Sequence, residues 1–301
     1  MSERELDIFE IERFAIHDGP GIRTALFFQG CPLRCEWCAN PESQTVGLHI
    51  MSFSKLCTGC GRCALICGEN AVNVFDGKSE IDRDKCISCG KCTEVCTSNA
   101  IKASGRKTSC GELFKTVLRD IDYYRSSGGG VTLSGGEALL RIDELIPFLT
   151  ECHKHGINIA AETCGYVSVE IIETAMKYVD LFLFDIKSLE AEKFKKFTGG
   201  NINIVSAAFE YIAEHACEGL IARVPVIPDF NDSELELIME YAAGKGVKNI
   251  HLLPYHTLGA AKYGQLGREY PYHIKESLAP DTLLPYIEKG KRLGLDVKIG
   301  G

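Results

Sequence analysis

Cys31, Cys35 and Cys38 stand at x3 and x2 spacing in the stretch Gln29-Gly30-Cys31-Pro32-Leu33-Arg34-Cys35-Glu36-Trp37-Cys38. A cube of four irons takes four ligands, usually thiolates. Three cysteines from one short loop leave one iron open to something else. The competing use of clustered thiols is a structural zinc loop. A closed zinc site needs a fourth ligand, and the rest of the chain argues for redox chemistry.

Eight more cysteines follow in two runs, Cys57-x2-Cys60-x2-Cys63-x3-Cys67 and Cys86-x2-Cys89-x2-Cys92-x3-Cys96. The period is 29 residues, and the flanks repeat as well, CTGCGRC against CISCGKC. The pattern resembles the bacterial two-cluster ferredoxins, in which the fourth cysteine of each run ligates the other cluster. That resemblance implies one cube on Cys57, Cys60, Cys63 and Cys96, and a second on Cys86, Cys89, Cys92 and Cys67. The proline usual after the fourth cysteine is replaced by Gly68 and Thr97, a change that removes no ligand. Residues 51–105 then form a ferredoxin-like insertion, with short strands expected at Asn70-Ala71-Val72 and Asn99-Ala100-Ile101.

The bulk numbers bound the rest. The 301 residues suffice for one large domain and a small one, and 45% hydrophobic content is ordinary for a globular chain. A net charge of −8 argues against a nucleic-acid partner. No apolar run reaches about 18 residues, so no membrane span is expected. Met1–Arg13 is charged and lacks a signal-peptide core. A cytoplasmic protein is the expectation, and there clustered cysteines mean metal ligation more often than disulfides. Cys110, Cys152, Cys164 and Cys217 are scattered and read as small buried hydrophobes.

Around the first three cysteines the sequence is DGPGIR, a strand, then GCPLRCEWCANPE. It resembles the activating enzymes of glycyl-radical enzymes, within the radical S-adenosylmethionine (SAM) superfamily, the group that includes the pyruvate formate-lyase activator. The resemblance implies that Cys31, Cys35 and Cys38 hold a [4Fe-4S] cluster. The amino and carboxylate groups of SAM would chelate its open iron. An electron from the cluster would cleave SAM to methionine and a 5′-deoxyadenosyl radical. That radical would take a Cα hydrogen from a glycine of a partner enzyme of lyase, dehydratase or decarboxylase type. The alternative is a radical SAM enzyme acting directly on a small molecule. A pure electron carrier would leave most of the chain idle. Pyruvate formate-lyase itself is a less expected partner, because its activator resembles this chain without the insertion.

The elements that must position this chemistry alternate. Strands are expected at 9–14, 24–29, 131–134, 157–161, 181–184, 220–226, 249–253 and 296–299. Helices are expected at 112–126, 142–155, 169–177, 190–197, 205–215, 233–245 and 282–293. Six strand–helix units predict a parallel sheet with right-handed crossovers. Six is fewer than a closed eightfold barrel, so the fold class is α/β: a partial (β/α)6 radical SAM barrel from residues 1–50 and 106–301, interrupted by the insertion.

Each unusual polar motif falls just after a strand, where parallel α/β sheets bind ligands. Gly135 and Gly136 allow close backbone approach, and the resemblance makes Gly135-Gly136-Glu137 the holder of the SAM amino group. It places Trp37 near the adenine. It further implies SAM contacts from Glu162, Thr163, Asp185, Lys187, Arg223 and His256, with Lys187 neutralising the carboxylate. Asp185 and Glu162 are implied to hold ribose hydroxyls or a monovalent cation beside SAM. Asp18 and the segment Gly259–Tyr272 are expected to help admit the partner's glycine loop. In all, the two resemblances imply three [4Fe-4S] clusters, SAM, a flavodoxin or ferredoxin as donor, and a monomeric enzyme of anaerobic chemistry.

Overall fold

The computed structural model describes residues 5–301, and the first four residues of the charged amino-terminal stretch lie outside the described ones. Its strands are β1 (Glu5–Ala15), β2 (Arg23–Phe28), β3 (His49–Ser52), β4 (Val72–Phe75), β5 (Lys78–Ile81), β6 (Ile101–Ser104), β7 (Arg106–Ser109), β8 (Gly130–Gly135), β9 (Asn158–Thr163), β10 (Leu181–Asp185), β11 (Leu220–Val226), β12 (Asn249–Pro254) and β13 (Asp296–Ile299). One nine-stranded sheet runs in the order β13-β12-β11-β10-β9-β8-β2-β1-β7. From β2 to β13 every pairing is parallel. β1 lies antiparallel to β2 and to β7. The sheet has two free edges, β7 and β13, so it is an open barrel.

Helices return the chain between the parallel strands, as crossovers must. Ile142–Lys154 joins β8 to β9, Val169–Ala175 joins β9 to β10, and Leu235–Gly244 lies between β11 and β12. On β11 the burial alternates, with Leu220, Ala222, Val224 and Val226 buried and Ile221, Arg223 and Pro225 only partly so. The first set packs in the core against the helices. The second set faces the inside of the half-barrel, where Arg223 and Pro225 line a cavity. Phe148, Phe182, Phe184 and Phe209 are fully buried in the same core, each worth roughly 1.5–3 kcal/mol.

One expectation is corrected, and one helix lies outside the expected ranges. The helix expected over 112–126 is two helices, Cys110–Leu118 and Ile121–Ser127. The break lies at Asp120, whose carboxylate turns inward to accept from Arg13 and from Thr24 Oγ1 at 2.9 Å. The glycine-containing segment 259–272 begins with a helix, Leu258–Gln265. Gly259 lets that helix sit on the cysteine loop, since a Cβ there would lie 2.7 Å from Ala39 Cα.

Between β2 and β7 the chain makes a separate pair of antiparallel ladders, β3 with β6 and β4 with β5. Short helices at Arg62–Ile66 and Lys91–Glu94 carry Cys63 and Cys92. Each begins after a glycine in the left-handed region, Gly61 and Gly90, so the 29-residue repeat in sequence is a repeat in structure.

Candidate active site

A cavity of about 400 Å3 lies at the carboxyl ends of the parallel strands. The loop after β2 contributes Cys31, Cys35, Trp37 and Cys38 to its wall. The ends of β8 and β9 contribute Ser134, Gly135, Gly136, Glu162, Thr163 and Cys164. β10, β11 and β12 add Asp185, Lys187, Arg223, Pro225, Ile227, Tyr255 and His256. Asp18 completes the lining. Six strand ends thus converge on one space, with His256 exposed at the rim.

The charges form a chain across the floor. Lys187 Nζ donates to Asp185 Oδ2 at 2.9 Å. Arg223 donates to Glu162, which also accepts from Ser134. Arg223 Nε lies 3.3 Å from Asp185 Oδ1, but without hydrogen-bond alignment, so both buried atoms stay unpartnered. Burial works against the charge on Lys187, yet Asp185, Cys35 and Cys164 outweigh it and hold the ammonium above its ordinary range. Arg223 behaves alike between Glu162 and Asp185.

Asp18 reaches this floor from the far end of the barrel. It lies in the turn joining the end of β1 to the start of β2, at the amino ends of the parallel strands. Thr132 Oγ1, in mid-β8, donates to the Asp18 carbonyl at 2.7 Å and holds the turn inside. Burial, then the charge of Glu162, pushes the Asp18 carboxyl up to about 7, with Arg223 pulling the other way. The DGPGIR turn is therefore an inner plug beneath the cavity.

Glu137 sits one layer deeper than the other motif residues. It is 1% exposed. Its carboxylate accepts from Thr163 Oγ1 at 2.9 Å, from the Cys164 amide at 2.8 Å and from the Leu139 amide at 3.2 Å. It ties the end of β8 to the end of β9. The two glycines before it are small first because the chain's own backbone passes there. A Cβ on Gly135 would lie 2.4 Å from Phe28 O, and one on Gly136 would lie 2.4 Å from Gly30 O. Trp37 is nearly buried and packs on Phe230 (ring centroids 4.4 Å) and edge-on to Tyr272 (5.8 Å).

Burial pushes the Cys35 thiol up to about 12 and the Cys38 thiol up to about 11. Cys31 moves down instead, chiefly because the Cys164 thiol hydrogen-bonds to it. From sequence alone Cys164 reads as an ordinary buried cysteine. It lines the cavity beside Cys31, and its place directly after a strand, in Glu-Thr-Cys-Gly, was the available signal. Cys110 and Cys152 are core residues as expected.

In the insertion, Cys57, Cys60, Cys63 and Cys96 line one small cavity, and Cys67, Cys86, Cys89 and Cys92 line another. Each cavity takes its fourth thiol from the other run. Amides point at these sulfurs: Ala71 N lies 3.2 Å from Cys67 Sγ, Ser79 N 3.3 Å from Cys57 Sγ and Ile101 N 3.4 Å from Cys96 Sγ. Among the described residues the side chains do not converge as single-ion sites. They line the walls of a space, with donors aimed at sulfur.

Residues 17–200 match the family model of a 4Fe-4S single cluster domain. The chain is 39% identical over 292 residues to the choline trimethylamine-lyase activating enzyme of Oleidesulfovibrio alaskensis, a match covering 94% of each chain. It is 39% identical over 306 residues to the benzylsuccinate synthase activating enzyme of Thauera aromatica, covering 98% of this chain and 92% of the other.

The chain belongs to the glycyl-radical enzyme activating enzymes. This activating enzyme is a radical SAM oxidoreductase that uses a 4Fe-4S cluster and SAM, and its substrate is a glycyl-radical enzyme. Among solved structures it is similar to Streptococcus suis SuiB bound to precursor peptide SuiA, with TM-score 0.52 and 12% identity over 90% of this chain and 46% of that one. That likeness concerns the fold alone. No described helix of the activating enzyme is long and apolar enough to cross a membrane.

Proposed function

We propose that this activating enzyme carries three [4Fe-4S] clusters and installs the radical on one glycine of a partner lyase, dehydratase or decarboxylase. The observation that carries the reading is the single cavity on which three cysteines and the strand-end polar motifs converge. The donor set fits the first cluster, with three thiols on one wall and room beside them for SAM. The four-cysteine cavities of the insertion, with amides aimed at their sulfurs, fit the other two.

Cys31, Cys35 and Cys38 would hold the first cluster, which supplies the electron that splits SAM and so the 5′-deoxyadenosyl radical. The chain's own residues orient the cosubstrate. Lys187 offers a buried ammonium to the SAM carboxylate. Asp185 and Arg223 line the same cavity, with Asp185 Oδ1 and Arg223 Nε buried behind its wall. Gly135 and Gly136 offer backbone at the wall, while Glu137 acts from behind by fixing Thr163 and Cys164. Trp37 presents an aromatic wall to the adenine. His256 stands at the rim, where SAM and the partner's loop would enter. Arg223 already supplies a cation between Glu162 and Asp185, the place where the resemblance implies ribose hydroxyls or a bound monovalent ion.

An electron arrives from a flavodoxin or ferredoxin, and the enzyme acts as a monomer. The test is anaerobic reconstitution, with iron and sulfide counted per chain. SAM cleavage is then assayed with candidate partners, and the glycyl radical is read by electron paramagnetic resonance (EPR). Iron for one cluster only, or a radical on no partner glycine, would sink the reading.

A further inference from the structure

Arg83 joins the insertion to the barrel. Its guanidinium donates to Ile50 O on β3 at 2.5 Å and to Gln265 O, at the end of the helix Leu258–Gln265, at 2.9 Å. It rests on Gly267, where a Cβ would lie 2.7 Å from Arg83 Nε. Ile50, fully buried, lines the cavity of Cys67, Cys86, Cys89 and Cys92. The charge of Arg83 is felt by Cys86 and Cys92.

The far side of the same helix is seated on the first cysteine loop. Gly259 packs on Cys38 O, and Lys262 Nζ donates to Asn40 Oδ1 at 2.8 Å and to Glu42 Oε1 at 2.6 Å. Between these two anchor points lies Tyr263, 4% exposed, its hydroxyl without a partner. The helix thus touches the wall of one thiol cavity through Arg83 and the backbone of Cys38 through Gly259.

We infer that the cavity of Cys67, Cys86, Cys89 and Cys92 is the one that passes the electron to the Cys31–Cys35–Cys38 centre, and that Arg83 is the positioning residue that sets their separation through the helix Leu258–Gln265. The inference rests on the reading that both cavities of the insertion hold clusters. One electron is transferred. A cluster held by Cys67, Cys86, Cys89 and Cys92 would give up one electron to one held by Cys31, Cys35 and Cys38, and a low-potential flavodoxin or ferredoxin would restore the first.

The test compares the reconstituted full chain with Arg83→Ala and with a matched control, Lys78→Ala, whose ammonium holds the Cys57 carbonyl at 2.8 Å beside the other cavity. Dipolar EPR on the fully reduced proteins reads the coupling between the SAM-binding cluster and its neighbour. Arg83→Ala keeps its iron and weakens that coupling, while Lys78→Ala leaves it unchanged. With saturating reduced flavodoxin, kcat for SAM cleavage falls roughly tenfold in Arg83→Ala through misplacement, the donor KM is unmoved, and cleavage driven by titanium(III) citrate persists. Arg83→Lys, which keeps a charge but loses the fork, falls between. Wild-type coupling in Arg83→Ala, or weakened coupling in Lys78→Ala, overturns the inference. Iron for a single cluster in the wild-type chain defeats the reading beneath it and shows before any variant is made.

Discussion

Arg23 Nε donates to Thr132 Oγ1 across 2.7 Å, and Thr132 in turn donates to the carbonyl of Asp18. Arg23 is wholly buried, and its other hydrogen bonds run to neutral acceptors, Val131 O at 2.7 Å and Asn158 Oδ1 at 2.9 Å among them. Burial pulls its pKa down to about 10, still protonated at neutral pH. The pair forms the frame on which the inner plug hangs. Arg23→Met leaves buried acceptors without donors and is expected to cost about 2–4 kcal/mol. Urea unfolding of the anaerobic protein measures it, and an unchanged midpoint would remove the frame from the account.

Asp18 gives a pH dependence whose sign follows from its environment. Its carboxyl moves from an ordinary 3.8 to about 7 in the folded chain. Between those values the native state holds a proton that the unfolded state releases. Stability therefore falls as pH rises through that window. Asp18→Asn is expected to flatten this slope, read as the unfolding midpoint against pH. A slope of the same size in the variant would place the titrating group elsewhere.

Lys187 tests the cosubstrate site. Losing a hydrogen bond to a charged group costs about 1.5–3 kcal/mol, so Lys187→Met is expected to weaken SAM binding about 10- to 100-fold. Iron content should stay at the wild-type level. Calorimetric titration with SAM separates the two, and full affinity in the variant would take Lys187 out of the site.

Gly136→Ala tests why the second glycine is small. The new methyl would meet Gly30 O at 2.4 Å and push on the cysteine loop. The expected cost is about 1–3 kcal/mol, with less iron retained per chain. Gly244→Ala, where nothing lies within 4 Å, is the control and should be neutral or slightly stabilising. Equal iron retention in both would show that the glycine serves the ligand rather than the chain.

The barrel was legible because its signals are local. β11 and β13 fall where the apolar runs put them, at 220–226 and 296–299. The motifs after the strands converge because a parallel sheet leaves them no other face. What escaped depended on distant partners. Asp120 breaks a helix for the sake of Arg13 and Thr24, each about a hundred residues away in sequence. Asp18 enters the cavity from below, which no stretch of sequence near it announces. The helix Leu258–Gln265 was hidden by its glycines, of which Gly259 is there for contact with Ala39.

The exchange of fourth thiols between the two halves of the insertion sets an order on biogenesis. A nascent chain that has left the ribosome only as far as Cys67 offers three of the sulfurs of the first cavity and one of the second. The second set is complete only once Cys92 emerges and the first only once Cys96 does, so on the proposed reading metal delivery to the first cavity would wait for the whole segment. Deleting either half would strand the other with an incomplete ligand set, which makes the duplicated unit heritable only as a pair.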